Sequence, residues 1–436
     1  MVLLTHSVAF DSAEPLARLR ELPDAPGIFA LYADLAAEPY LGKTPNLRRR
    51  LMRFLRQGSG GNPDANTAPA SKRLQLAHMV RHIEYTVTGS EFESLLCLYD
   101  ASLKAFGDRG RRRLRLHPPA FLRMSVENAY PRVYPTTKIS KSAANALFGP
   151  FPSRAAAERY SEAMLDLFLL RRCTDDLNPD PAFPGCPYSE MKMCLAPCFK
   201  GCTDERYQQE SDAVYDFLAT RGAGLLQKLE AERNGASELL EFEHAASLHQ
   251  RMQKVEAASQ LASEAVHPLS QLSGILVQPA AEPGSVALFR LHMGALNGPV
   301  LFSTIGMRLA NERSGSTSLF AHPVAVEPVP LESEPAPTGR KQPMKDILEQ
   351  RLEDALTQLK KSAPKSVPTQ VLTDHLALFT RWFYRPAAKR VGEVLFVGSD
   401  GEVAHKPLLR SISRVAARAA SEDPQQMDKP PIAWHA

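Results

Sequence analysis

The chain has 436 residues, of which 44% are hydrophobic and 23% are charged, and its net charge is +4. This length predicts two to four domains, and the composition excludes a disordered or fibrous protein. No stretch approaches the roughly 18 uninterrupted apolar residues of a membrane helix, and the N-terminus lacks the features of a signal peptide. We therefore expect no membrane contact and a cytoplasmic location.

The first 125 residues read as a small α/β unit. A β-prone run at Gly27–Tyr32 and a shorter one at 39–42 precede a helix that opens at Asn46. A glycine-rich loop over 57–70, another helix, a strand near 82–87 and a helix near 90–105 follow.

Arginines occupy the polar side of the helix that opens at Asn46, and a second arginine cluster spans residues 109–115. The guanidinium fork binds phosphate oxygens in a bidentate way, so such clusters suit nucleic acid. A solvated basic face is the alternative interpretation. The first cluster includes Arg48, Arg49, Arg50 and Arg53.

Five of the six cysteines lie within 30 residues, in a proline-rich loop with little apolar periodicity. Their irregular spacing does not match paired zinc knuckles, but it allows four thiolates to converge on one ion or cluster. Ordinary core burial explains such a loop poorly, although free cysteine is often buried. A reducing cytoplasm also favours metal ligation over disulfides. We predict a metal or iron–sulfur site, with Cys202 as a spare thiol or alternative ligand.

The rest of the chain alternates helical and strand-like segments. Helices are predicted at about 154–170 and 203–220, followed by an antiparallel helical hairpin over 223–258. Three strand-like runs between 273 and 305 predict an antiparallel meander. A proline-rich linker, two further helices and a short strand then follow, at residues 308–343, 344–359, 370–384 and 394–397.

Three segments, in order along the chain, resemble the UvrC family of bacterial nucleotide excision repair. Residues 26–29 (PGIF), 40–43 (YLGK) and 46–50 (NLRRR) look like a GIY-YIG nuclease core. Residues 194–198 (CLAPC), with Cys173 and Cys186, look like the family's cysteine segment. Residues 239–246 (LLEFEHAA) look like the UVR motif, the hairpin through which UvrC and UvrB pair.

The resemblance implies roles for particular residues. Tyr40 matches the proposed general base, Lys43 the lysine that lowers the cost of ionising it, and Arg50 the arginine that holds the phosphate. Arg48, Arg49 and Arg53 would add contacts to double-stranded DNA, and Mg²⁺ or Mn²⁺ would serve an active nuclease. A 4Fe–4S cluster, with zinc as the alternative, would be held by Cys173, Cys186, Cys194 and Cys198. Residues 223–258 would bind a UvrB-like protein.

The chain also departs from the family pattern. Phe29 stands where the first motif tyrosine is expected, and Phe54 replaces a further tyrosine. The family's metal-binding glutamate falls at Leu98, with Glu93 and Asp100 as the nearest carboxylates. A bare divalent ion needs hard oxygen ligands, so incision by this region is in question.

We therefore expect a multidomain α/β (α+β) protein that stops before the RNase H-like and helix-hairpin-helix domains of UvrC. Two functions remain open: a GIY-YIG-type endonuclease subunit that cuts damaged DNA beside a UvrB-type partner, and a catalytically inactive adaptor that binds DNA and partner. The expected domains are a nuclease-like domain at 20–125, a cysteine-rich region at 126–221, a hairpin at 222–260, an α+β domain at 261–420 containing the linker, and a flexible tail at 421–436.

Overall fold

The computed structural model describes residues 3–10, 19–34, 38–55, 79–174, 177–307, 344–364, 366–398 and 401–422. The predicted loop at 57–70, the linker at 308–343 and the tail beyond 422 lie outside these residues. The described chain is a mixture of α and β structure with three four-stranded antiparallel sheets. Within it, no helix is both long enough and apolar enough to cross a bilayer.

The first sheet has the strand order β1-β4-β2-β3, so β3 is an edge strand. Strand β2 is fully buried and pairs Phe29 with Gly42 of β3. The ring of Phe29 lies over this glycine, since a Cβ there would come within 2.7 Å of the ring. The elements are β1 (His6–Ala9), β2 (Gly27–Tyr32), β3 (Tyr40–Thr44), α1 (Leu47–Leu55), β4 (His82–Val87), α2 (Glu91–Phe106) and α3 (Asp108–Leu114).

Helices α1 and α2 cover opposite faces of this sheet. Leu47, Leu51 and Leu55 of α1 pack with Phe29 and Leu31 in one core. Leu98 of α2 packs against the other face with Ile28 and Leu41. Because Ser90 accepts a hydrogen bond from the Glu93 N–H, it caps α2 at its N-terminus. The two helices therefore flank the edge strand β3.

The middle region contains β5 (Ala120–Met124), β6 (Val133–Thr136), β7 (Leu147–Phe151), α4 (Arg154–Leu165), the short α5 (Pro187–Glu190) and α6 (Asp204–Thr220). Its core is built on Phe148, Tyr160, Tyr207 and Phe217. The cysteine-bearing loop lies between α4 and α6. Leu195 and Cys202 of this loop pack against that core.

Helices α7 (Ala223–Glu238) and α8 (Phe242–Ser259) form the predicted hairpin. Leu248, Met252 and Val255 of α8 are buried in the same core as α4 and α6. The hairpin therefore rests on the middle region along one side, while its turn at 239–241 projects away from that core.

The C-terminal region begins with β8 (His267–Pro268), which completes the middle sheet beside β7. The third sheet has the order β11-β10-β9-β12, and the predicted meander forms its first three strands. The further elements are β9 (Gly274–Pro279), β10 (Ser285–His292), β11 (Ala295–Ser303), α9 (Met344–Lys361), α10 (Thr369–Phe383), β12 (Glu393–Phe396) and α11 (His405–Glu422).

Helix α2 joins the first region to the third. Phe92 packs edge-on to Phe289 at a centroid distance of 5.2 Å, and Trp382 lies 5.5 Å from the same ring. The buried Tyr99 hydroxyl donates to Asp374 of α10 at 2.9 Å, where Arg111 also binds at 2.7 Å. One face of α2 is thus held by the C-terminal region, which leaves its other face to the sheet and to Tyr40.

The structure confirms most predicted elements but shortens one and adds others. The helix predicted over 154–170 ends at Leu165, because the chain turns so that the Leu169 N–H donates to Glu210 of α6 at 2.6 Å. Sequence patterning missed β1, β5, β7, α3 and α11. Helix α3 contains a glycine and four arginines, and it forms because Gly110 packs directly against the backbone of Ser102.

Candidate functional site

Tyr40 opens the edge strand β3 with 45% of its surface exposed. Its ring centroid lies 6.2 Å from that of Phe29 and 6.2 Å from that of Phe54 on α1. The guanidinium carbon of Arg50 lies 4.2 Å from the Phe54 centroid, a cation–π contact. The structure therefore brings Tyr40 and Arg50 into contact with the same phenylalanine, Phe54.

Lys43 lies three residues along the same strand but belongs to a different cleft. Its Nζ atom is 2.7 Å from Oε1 of Glu91, the first residue of α2. Arg385 donates two further bonds to this carboxylate, at 2.6 and 2.9 Å. The hydrogen bonds from Arg385 and then Lys43 lower the pKa of Glu91 to about 2. Lys43 is thus paired with a carboxylate rather than directed at Tyr40.

The cleft beside Tyr40 has a volume of about 480 Å³. Leu98 lines it at the position where the resemblance expects a metal-binding glutamate. The carboxylate in this cleft is instead Glu38, which forms ion pairs with Arg109 and, at 3.8 Å, with Arg113. Sequence reasoning missed Glu38, although its place two residues before Tyr40 was a usable signal.

The two carboxylates named from the sequence do not line this cleft. Glu93 is buried and accepts a hydrogen bond from the Gly89 N–H at 2.7 Å, at the N-terminal end of α2. Burial raises the pKa of its carboxyl. Asp100 is exposed but is not among the residues around Tyr40. The described residues at Tyr40 therefore do not fit a divalent metal held by α2.

The arginines on α1 differ in whether their side chains are held by the protein or exposed to solvent. Arg48 donates from Nε to the carbonyl of Leu22 at 2.7 Å, which fixes it against the neighbouring segment. Arg49 and Arg53 are exposed. These two side chains, with Arg50 beside Tyr40, are the available phosphate contacts on this helix.

The four predicted ligand cysteines are all half-buried and lie near one another. Burial, followed by the proximity of the other thiolates, raises the pKa of Cys194 and of Cys198. Arg171 donates to the Cys173 sulfur at 3.5 Å. A bound cation would offset the repulsion between neighbouring thiolates. Hydrogen-bond donors to the sulfur atoms are typical of thiolates that bind a metal.

The four thiols lie close together, but they are not arranged around one shared position. Within the described ranges, no three or more His, Cys, Asp or Glu side chains are arranged so that they could hold a metal ion. The donor set fits an iron–sulfur or zinc centre by its chemistry, and the loop geometry is that of free thiols.

The turn of the α7–α8 hairpin exposes large apolar side chains. Leu239, Leu240 and Phe242 are 73%, 71% and 65% exposed. Leu240 has a φ of +61°, a left-handed conformation that leucine rarely adopts. An exposed apolar tip of this kind is typical of a protein-binding surface.

Comparisons with known proteins identify relatives of this chain by sequence. Residues 120–217 match the family described as UvrC/Cho excinuclease, middle domain. The UvrABC system protein C of Carboxydothermus hydrogenoformans is 28% identical over 320 residues, covering 72% of this chain and 50% of the relative. That of Symbiobacterium thermophilum is 30% identical over 310 residues, covering 70% and 46%.

The chain belongs to the UvrC/Cho excinuclease family. It spans about half the length of these curated relatives. No solved structure matches it significantly. The match to the family's middle domain includes the four clustered cysteines and ends within α6, whereas Tyr40, Lys43, Arg50 and the hairpin lie outside it.

Proposed function

We propose that this chain acts in nucleotide excision repair as a UvrC-type subunit that binds double-stranded DNA and a UvrB-type partner without cutting the DNA through its nuclease-like region. The observation that carries this proposal is the cleft beside Tyr40. Leu98 lies there in place of a carboxylate, and Glu38 is already paired with two arginines. A hard divalent ion finds too few free oxygen ligands in such a cleft.

DNA binding is supported by the arginines of α1. Arg49 and Arg53 are exposed, and Arg50 is held at the edge strand by Phe54. Guanidinium groups bind phosphates without needing a metal, so DNA contact survives the loss of a catalytic carboxylate.

Partner binding is supported by the hairpin. The α8 side packs on the middle core through Met252 and Val255, which leaves the tip free. The exposed tip residues Leu239, Leu240 and Phe242 offer an apolar anchor for a second hairpin of the same kind. The proposed surface for a UvrB-type protein is therefore the turn and its flanks within residues 223–258.

The proposal includes a 4Fe–4S cluster, with zinc as the alternative, held by Cys173, Cys186, Cys194 and Cys198. Bound metal would supply a covalent tie across the loop between α4 and α6, and so a structural role. Cys186 directly precedes α5, where its N–H donates to the Ser189 hydroxyl at 3.0 Å. Arg171 and the backbone N–H groups of the loop would then face thiolates rather than thiols.

Incision is the second candidate function, and one observation favours it. Tyr40 is exposed at the edge strand, and Tyr40 and Arg50 both contact Phe54, so two of the three residues proposed for catalysis lie near the same side chain. In that case Glu38 would have to leave its arginines to bind a metal.

The deciding experiment measures nicking of a lesion-bearing duplex by anaerobically purified protein with a cognate UvrB-type partner, in Mg²⁺ and in Mn²⁺. We expect duplex and partner to bind and the duplex to stay intact. Nicking that disappears in a Tyr40→Phe, Arg50→Ala variant, folded and with its metal retained, would overturn the adaptor proposal in favour of incision. Glu38→Gln then tests whether Glu38 supplies the metal ligand.

A further inference from the structure

A second and larger cleft lies away from Tyr40, where the middle region meets the C-terminal sheet. Its volume is about 980 Å³. Arg221 at the end of α6 and His267 of β8 line one part of it, and Arg290 and His292 of β10 line another. None of these four residues belongs to the site described above.

Arg290 is the unusual residue of this cleft. Its side chain is partly buried on β10, yet it makes no hydrogen bond or ion pair with any residue that the structure describes. Burial alone lowers its pKa, with no carboxylate acting against it. A partly buried charge without a partner is costly, because it has lost water and gained nothing in exchange. An anion entering the cleft would supply the missing partner.

The neighbouring groups share this positive potential. Burial is the main cause that lowers the pKa of His267 and of His292. The nearby charge of Arg221 lowers the pKa of His267 further, and that of Arg290 lowers the pKa of His292 further. Arg221 donates one bond to the Ser263 carbonyl at 3.3 Å, which leaves further N–H groups free to bind a ligand.

The lining of the cleft also contains carboxylates. Glu353 and Lys360 come from α9, and Glu402 lies 3.9 Å from Lys360 just before α11. His405 of α11 also lines the cleft. The cleft lining therefore combines a cationic set from the middle region and β10, namely Arg221, His267, Arg290 and His292, with groups of mixed charge from α9 and from the segment around the start of α11.

We propose that Arg290 and its cationic neighbours in this cleft bind the phosphate of a nucleotide unit, either within a single strand or free. A guanidinium fork matches phosphate oxygens, and two histidines beside it add donors. The volume is that of a small-ligand site, roughly 300–1,000 Å³, which admits a nucleotide or a short single strand rather than a duplex. Naming a nucleic-acid strand as one source of the phosphate rests on the proposed function. The proposal of a phosphate site in this cleft does not rest on it.

The test measures binding of a fluorescein-labelled six-nucleotide single strand by anisotropy, and of adenosine monophosphate by calorimetry, to the full chain. Arg290→Gln should weaken the ligand that occupies the cleft by about tenfold or more, since it removes a charge-assisted hydrogen bond. Arg290→Lys should recover part of the affinity. The matched control is Arg159→Gln, an exposed arginine on α4 that lines neither cleft.

Each outcome bears on the proposal. Loss of hexamer binding alone assigns the site to a strand, and loss of adenosine monophosphate binding assigns it to a free nucleotide. Binding that is absent, or equal in Arg290→Gln and Arg159→Gln, overturns the proposal. If Arg290→Gln does not fold, Arg221→Gln takes its place. Duplex binding through Arg49 and Arg53 is assayed separately, so its failure concerns the proposed function and not this cleft.

Discussion

The cysteine segment and the Tyr40 cleft were both predicted from short motifs, yet they differ in what they retain. All four expected thiols of the segment are present and near one another. The nuclease-like region keeps Tyr40 and Arg50, but Leu98 lies in the cleft where a carboxylate is expected. A cluster site works through a set of equivalent ligands, whereas hydrolysis needs unlike groups in distinct roles. This difference supports the proposal that the chain binds DNA and a partner without cutting the DNA through its nuclease-like region.

The largest expected effect comes from restoring the missing carboxylate. Leu98 is only partly buried and borders the cleft, so Leu98→Glu introduces a charge with access to water. If that group is all the cleft lacks, metal-dependent nicking should rise by at least about a hundredfold over the parent chain, given the contribution of a bound metal to phosphate hydrolysis.

The control for this gain is Leu98→Gln, because a glutamine side chain has the shape of glutamate but no charge. Nicking by the glutamate variant alone would show that the rest of the site is intact. If both Leu98 variants are equally inactive, the ion pair of Lys43 with Glu91, or those of Glu38 with its arginines, also prevents hydrolysis.

The next largest effect tests whether the cysteine segment is as complete as it looks. Anaerobically purified protein should contain about four iron atoms per chain if a 4Fe–4S cluster is bound, or about one zinc. Cys194→Ser should remove most of that metal and lower the melting temperature, because the loop loses its tie to the core. Metal analysis and a thermal melt measure both.

Cys202→Ser is the matched control, since Cys202 packs against the middle core and is not among the four. It should keep its metal. Equal loss in the two variants would make Cys202 a ligand, and a parent chain purified without iron or zinc would contradict the site.

A moderate effect is expected at the hairpin tip. Phe242→Ala should weaken binding of a UvrB-type partner by about tenfold, the size typical of an exposed apolar anchor. Since the side chain is 65% exposed, the free energy of unfolding should change by less than about 0.5 kcal/mol. Calorimetric titration and urea unfolding measure the two quantities. On the same helix, exposed Gln250→Ala serves as control, and equal binding by both variants would move the interface elsewhere.

Local patterning was enough to predict strands β2, β3 and β4 of the first sheet with helices α1 and α2, the hairpin and the meander. It did not predict where α2 is held. The contact of Phe92 with Trp382 and the bond from Tyr99 to Asp374 join residues about 280 positions apart, and periodicity contains no signal for such pairs. The same limit applies to the candidate site. Motif spacing named Tyr40, Lys43 and Arg50, but only the fold showed Glu38 in the cleft and Glu91 on Lys43.

The smallest effect concerns the ion pairs that take Lys43 away from Tyr40. Because the folded pKa of Glu91 is lowered to about 2, its pairing stabilises the protein above the unfolded value near 4.5 and is lost as pH falls from there towards 2. Arg385→Ala should therefore cost up to about 1 kcal/mol at pH 6, a small value because Glu91 is 46% exposed, and progressively less near pH 3. Urea unfolding across this range tests it against Arg381→Ala, an exposed arginine in the last turn of α10, four residues before Arg385. A cost independent of pH would assign the effect of Arg385 to packing, and would leave Lys43 freer than its geometry indicates.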